Sequence, residues 1–175
     1  LEYPSLSGIF LTHAHIGHYI GLLYFGLEAL NLKNIPVYVL PGMKKFLYKN
    51  SIFYQMIENS NIIIKDLNEE SKIKLNETLE IEAFFVPHRN ELSETVGYSI
   101  QSESKSLIYI PDIDSWKDWT IDLVSIINGN DIVIIDGTFF SKDEIKNRDI
   151  KKIPHPSITE SMSLMKELPL KEKNK

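Results

Sequence analysis

Thr12-His13-Ala14-His15-Ile16-Gly17-His18-Tyr19 is the stretch on which the reading of this chain turns. Three of the five histidines in the 175-residue sequence fall inside it. Leu6–Thr12 (Leu-Ser-Gly-Ile-Phe-Leu-Thr) is short, apolar and partly β-branched, which predicts a buried strand running straight into the histidines. Residues two apart at a strand end point the same way, so His13 and His15 can present their imidazoles to one point and His18, in the following turn, to an adjacent one. Imidazole suits transition metals, and a catalytic site would use about three protein donors with one position open for water. The alternative is a histidine-rich cap on the helix that follows.

Composition narrows the chemistry. The chain has no cysteine, so disulfides and thiolate ligands are excluded and histidine and carboxylate are the strong metal donors left. With 43% hydrophobic and 25% charged residues it reads as a soluble globular chain, cytoplasmic by default. No apolar run approaches the roughly 20 residues that span a bilayer, and no secretory leader is recognisable. A net charge of −5 disfavours nucleic acid as partner, because that binding draws on Lys and Arg to displace counterions. A small-molecule substrate is the expected partner, and a homodimer is left open.

Outward from the histidines the pattern alternates. Ile20, Leu23, Tyr24, Leu27 and Leu30 recur at helical spacing and predict a helix over 19–30, followed by a strand over 35–40 stopped by Pro41-Gly42. A helix over 43–58 and a strand at Ile62-Ile63-Ile64 come next. Residues 72–75, 79–86, 96–101 and 106–110 predict strands of an antiparallel region. A helix over 116–127, a strand over 131–135 and a helix over 157–168 complete the pass. Stacked sheet and helix layers follow from this mixture, in a single domain or part of one.

Two further polar residues end apolar runs. His88 follows Ala83-Phe84-Phe85-Val86-Pro87, and Asp112 follows Leu107-Ile108-Tyr109-Ile110-Pro111. Alone, each reads as a turn or satisfied residue, with Asp114 competing for the aspartate's place. Beside the triplet, both become candidate ligands.

The order His13-Ala14-His15-Ile16-Gly17-His18, then His88, then Asp112 resembles the metallo-β-lactamase superfamily over most of the chain. Within it the likeness is to the branch of the pyrroloquinoline-quinone biosynthesis B proteins, through Asp136-Gly137-Thr138-Phe139-Phe140. It is more distant to the transfer-RNA 3′-processing endonucleases, through His155-Pro156-Ser157 and the helix containing Glu160. The resemblance implies an α/β, four-layer αββα sandwich in which His13, His15 and His88 hold a first metal and His18 and Asp112 a second, the aspartate bridging. It implies zinc, one ion or two, with iron or manganese as alternatives. Against that pattern, residues 1–175 read as a partial domain, a fragment lacking the strands before the histidine motif and the last strand, whose histidine would fall about 20 residues beyond His155.

Gly17 stands where the family's His-x-His-x-Asp-His motif has an aspartate. Its loss weakens the second site, and Asp114 is the candidate to compensate. The expected activity is hydrolysis of an ester, amide or phosphodiester of a small molecule, with His155 protonating the leaving group and Asp136 orienting it; the alternatives are His155 as a replacement for the missing histidine ligand and Asp136 as a turn residue before Gly137. Two rivals stand beside it: an iron-dependent oxygenase, since histidines plus a carboxylate also suit non-haem iron, and a small-molecule-binding protein without turnover.

Overall fold

The computed structural model describes residues 6–68, 72–144, 149, 152–166 and 168, and the chain divides into two compact units. The first comprises residues 1–69 and 90–95, the second residues 70–89 and 96–175.

In the first unit β1 (Ile9–Phe10), β2 (Ile35–Val39) and β3 (Ile62–Asp66) form a parallel sheet in that order. Ile35, Val37 and Val39 alternate into the core, the period-two pattern of a pleated strand. Pro36 lacks a ladder donor and would be out of place in a central strand. It is tolerated because β1 pairs only with Val37 and Tyr38, so at Pro36 the strand has no β1 partner. Between β2 and β3 run α1 (Pro41–Lys49) and α2 (Ser51–Glu58). Met43, Leu47, Phe53 and Met56 from these helices close over Val37, Val39 and Ile62.

Where one helix over 43–58 is predicted, the structure breaks it at Asn50, whose backbone is extended while its side-chain amide donates to the Phe46 carbonyl at 2.7 Å. Asparagine competes with the helical ladder in this way. Proline at the other end starts the helix rather than merely stopping the strand, since Pro41 is its first residue. The predicted helix over 19–30 is absent. Short 3-10 turns at Ile16–His18 and Ile20–Phe25 replace it, ending at an extended Gly26. Ile20, Tyr24, Leu27 and Leu30 are exposed, so their helical spacing reflects no buried stripe, and two glycines in the run weaken helix formation further.

The second unit holds β4 (Lys72–Lys74), β5 (Glu80–Phe85), β6 (Val96–Gln101), β7 (Ser106–Ile110) and β8 (Ile132–Ile135), hydrogen-bonded in that order. The first four are antiparallel, as expected; β7 and β8 are parallel, which requires the crossover through α3 (Leu123–Gly129). The helix predicted over 116–127 is two elements, because Asp122 accepts from the Ser125 amide and caps a new start. Ser157 and Glu160 form a capping box at the start of α4 (Ile158–Leu164), so that helix begins where the sequence placed it; of the residues predicted beyond Leu164, Glu167 lies outside the described residues. Ile108, Ile110, Ile113, Trp116, Leu123, Ile126 and Ile127 form this unit's core. Among the described residues no helix is long and apolar enough to cross a membrane.

This packing can be tested at two positions. A β-carbon at Gly97 on β6 would lie 2.6 Å from the Phe84 ring and 2.8 Å from the Tyr109 carbonyl of the next strand. Backbone cannot yield cheaply, so Gly97→Ala should cost about 1–3 kcal/mol in denaturant unfolding; an unchanged midpoint would contradict the close approach. Asp131, just before β8, is the second case. Hydrogen bonds from Lys105 first, then from the Ser106 amide and hydroxyl, hold its carboxyl down to about 2, against desolvation. A depressed carboxylate contributes stability that is complete above its ordinary value near 3.8 and is lost as pH falls through about 2. The Tm gap between wild type and Asp131→Asn should therefore close on acidification across that window, and a gap independent of pH would contradict the assignment.

Candidate metal centre

The histidine motif of the first unit leaves β1 and enters the 3-10 turn at Ile16–His18, with His15 as the residue before the turn. The His15 carbonyl accepts from the His18 amide at 2.9 Å, folding the three side chains back together. The His13 ring lies edge-on to His15 with centroids 4.6 Å apart, and 4.2 Å from His18. His13 is almost fully buried and has the Thr12 hydroxyl 3.1 Å from Nδ1. Residues 90–95, which belong to this unit, pin the loop: the Ser93 hydroxyl accepts from the Ala14 amide at 2.9 Å, and Glu91 lies 3.7 Å from His15 Nε2. Both carboxylate oxygens of Glu94 accept from the Gly42 amide at the start of α1. Gly17 faces open space: a β-carbon at this position would meet nothing within 4 Å, and no left-handed backbone excludes a side chain there.

The second unit assembles the other candidates. His88 follows β5, and its buried side chain has Asp114 Oδ1 at 2.7 Å from Nδ1 and Asp112 Oδ2 at 3.5 Å from Nε2. Donation of the Nδ1 proton to Asp114 puts the lone pair on Nε2, the nitrogen on the Asp112 side. Asp114 therefore acts behind His88, at variance with the compensating-ligand role considered for it; the strand does not continue through 112–114, so alternation along it sets neither side chain. The Asp114 amide also donates to the Pro87 carbonyl at 2.8 Å, tying the two loops together.

Asp112 and Asp136 lie just past the ends of β7 and β8. These strands are parallel and in register to Ile110 and Ile135, so both carboxylates reach the same sheet edge. Asp136 is buried and accepts four hydrogen bonds, from the Ile113 amide, the Thr138 amide and hydroxyl, and His155 Nδ1, the last at 2.6 Å. The His155 ring lies 5.3 Å from that of His88. Burial lowers the His155 pKa, but the Asp136 hydrogen bond and charge, with the charge of Asp112, outweigh it and the nearby Arg89, so the net shift is upward. Asp112, Asp136 and His155 each offer an atom within 4.8 Å of the others, so they satisfy the spacing of a cation site.

Of the residues singled out from the sequence, His13, His15 and His18 come together in the first unit, and His88, Asp112, Asp136 and His155 in the second. Sequence reading missed Glu91, Ser93 and Thr138 as supporting groups. Thr138 had a signal, two residues after an aspartate at a turn; Glu91 and Ser93 sit in a polar loop with no periodicity. Within the second unit Asp112, Asp136 and His155 stand at ligand spacing and Asp114 fixes the His88 ring, a chemistry of donors that suits a divalent metal.

A family model described as a β-lactamase superfamily domain matches residues 1–173. Among solved structures, zinc-bound PqqB from Methylobacterium extorquens is 22% identical with a TM-score of 0.71, covering 93% of this chain and 56% of that one. A diphosphatase of the PhnP family is 21% identical with a TM-score of 0.59, at the same coverages of 93% and 56%. An isothiocyanate hydrolase from Delia radicum gut bacteria is 14% identical with a TM-score of 0.52, covering 93% and 59%. The chain spans just over half the length of these structures, and at such identities the likeness shows the fold. No curated protein sequence gives a significant match. With the family model covering nearly every residue and two sheets with helices in the structure, the chain belongs to the β-lactamase superfamily and has its metallo-β-lactamase fold.

Proposed function

We propose that this chain is the metal-binding portion of a metal-dependent hydrolase acting on an ester, amide or phosphodiester of a small molecule. His13, His15, His18, His88 and Asp112 supply the metal donors, and His155 with Asp136 the proton. The observation that carries the reading is the pair of carboxylates on His88: one fixes the ring through Nδ1 and the other stands beside Nε2. Metal-binding histidines commonly have such a partner behind them, and it raises ligand basicity. Family membership and fold neighbours that include two hydrolases support the same reading. Zinc is the proposed ion, after the zinc-bound neighbour.

A divalent metal held by these donors supplies Lewis acidity and an activated water nucleophile. The chain's own part is to hold and move a proton. Asp136 engages His155 Nδ1, which turns Nε2 outward as the nitrogen that gives a proton to the departing oxygen or nitrogen. Asp136 is itself locked by Ile113 and Thr138, so the imidazole cannot swing away while the bond breaks.

The intact protein should carry zinc by elemental analysis and hydrolyse bis(p-nitrophenyl) phosphate or p-nitrophenyl acetate, with chelation abolishing turnover; iron content with dioxygen consumption would sink the reading. His88→Ala should strip the metal while circular dichroism stays folded, and retained stoichiometry would remove His88 from the donor set. His155→Asn should keep its metal but lose roughly 10²–10⁴ in kcat, most for substrates with poor leaving groups; loss of metal instead would make His155 a ligand. Because Gly17 opens onto free space, Gly17→Asp should fold normally and raise metal stoichiometry, a gain that calorimetric zinc titration would read directly.

A further inference from the structure

Beside His155 the second unit carries a cleft of about 530 Å³ that the chemistry above leaves unused. Its apolar wall comes from Trp116, Pro154, Pro156 and Leu164, and its polar groups include Asp114, Lys117, Lys142 and Glu160. A volume between about 300 and 1,000 Å³ with mainly apolar walls and a few convergent polar groups is what small-molecule sites show.

The charges in this cleft do not all cancel in the same way. Lys142 pairs with Glu160 at 2.8 Å, and that carboxylate also accepts from the Ser157 amide and hydroxyl. Asp114 is committed to His88. Lys117 is different: among the described residues no carboxylate pairs with its ammonium group, while its backbone amide is fixed by the Ser115 hydroxyl. The floor is rigid, because the Trp116 indole donates to the Ser161 hydroxyl at 2.9 Å and that hydroxyl donates to the Ser157 carbonyl. Trp116 is therefore held by α4, with its ring packed in this unit's core and its edge on the cleft.

We propose that this cleft is the substrate-binding site, taking a small molecule with a flat apolar body against Trp116, Pro154 and Pro156 and a single anionic group, phosphate or carboxylate, at Lys117. The inference deepens the hydrolase reading and rests on it for the word substrate; the binding itself does not depend on turnover. His155 lines the same cleft, so a molecule seated there lies against the proposed proton donor.

The test uses two compounds that cannot be hydrolysed and differ by one charge, naphthalene-1-sulfonate and naphthalene-1-sulfonamide, with tryptophan fluorescence and calorimetry as readouts on the zinc-loaded protein. Both should bind, the sulfonate about threefold to fivefold tighter, the scale of one exposed charge pair. Lys117→Gln should erase that preference and leave sulfonamide binding unchanged. Ser163→Trp, which places bulk on the exposed face of α4 that lines the cleft, should abolish both, with Tm confirming the fold. Equal affinities in wild type, or binding that survives Ser163→Trp, overturn the proposal. Hydrolysis of either chromogenic probe, bis(p-nitrophenyl) phosphate or p-nitrophenyl acetate, separates the two readings. If it is absent while the Lys117-dependent preference holds, the hydrolase reading falls and the cleft stands; if it is present while neither variant alters binding, the cleft falls and the hydrolase stands.

Discussion

The 2.7 Å hydrogen bond between Asp114 and His88 Nδ1 is the constraint on which the second unit's chemistry rests. Imidazole is a useful ligand only when one nitrogen carries the proton and the other the lone pair. A carboxylate on Nδ1 makes that choice, and burial of the His88 side chain keeps water from competing for it. The same bond joins the loop after β5 to the loop after β7, reinforced by the Asp114 amide on the Pro87 carbonyl. Chemistry and local fold thus share one contact, and a change in either loop is felt at the ring.

Parallel pairing of β7 with β8 supplies the second constraint. Two strands that run the same way and end in register deliver their next residues to one edge, which is how Asp112 and Asp136, 24 positions apart, come to face the same His155. Two carboxylates at one edge would repel if nothing met them. Asp136 is quenched by four donors and oriented toward His155, whereas Asp112 stands beside His88 Nε2, so the two carboxylates serve different neighbours.

Much of this was legible in the sequence because chemistry there is dense. His13, His15 and His18 stand together in the chain, and His88 and Asp112 each close an apolar run that a strand explains. The start of α4 also read well, since a helix was expected from Ser157; the capping box between Ser157 and Glu160 that fixes it is seen in the structure. What was hidden depended on competition between signals. The apolar spacing over 19–30 fits a helix, yet Ile20, Tyr24 and Leu27 face outward and glycine lets the backbone open into 3-10 turns. Asn50 carries no apolar signal at all, yet its amide on Phe46 divides one expected helix into two. Asp114 was noticed, but a spacing of two residues suggested a strand, and only folded loops could reveal that its carboxylate meets His88 Nδ1.

The most direct test of this account is the zinc affinity of Asp114→Asn, measured by competition with a chromophoric chelator on the intact protein. Loss of a partner behind a metal-bound histidine typically weakens binding about 10-fold to 100-fold, and that is the result expected with the fold and Tm essentially kept. Zinc affinity indistinguishable from wild type would show that Asp114 does not set the donor nitrogen of His88, and the metal centre described here would lose its foundation.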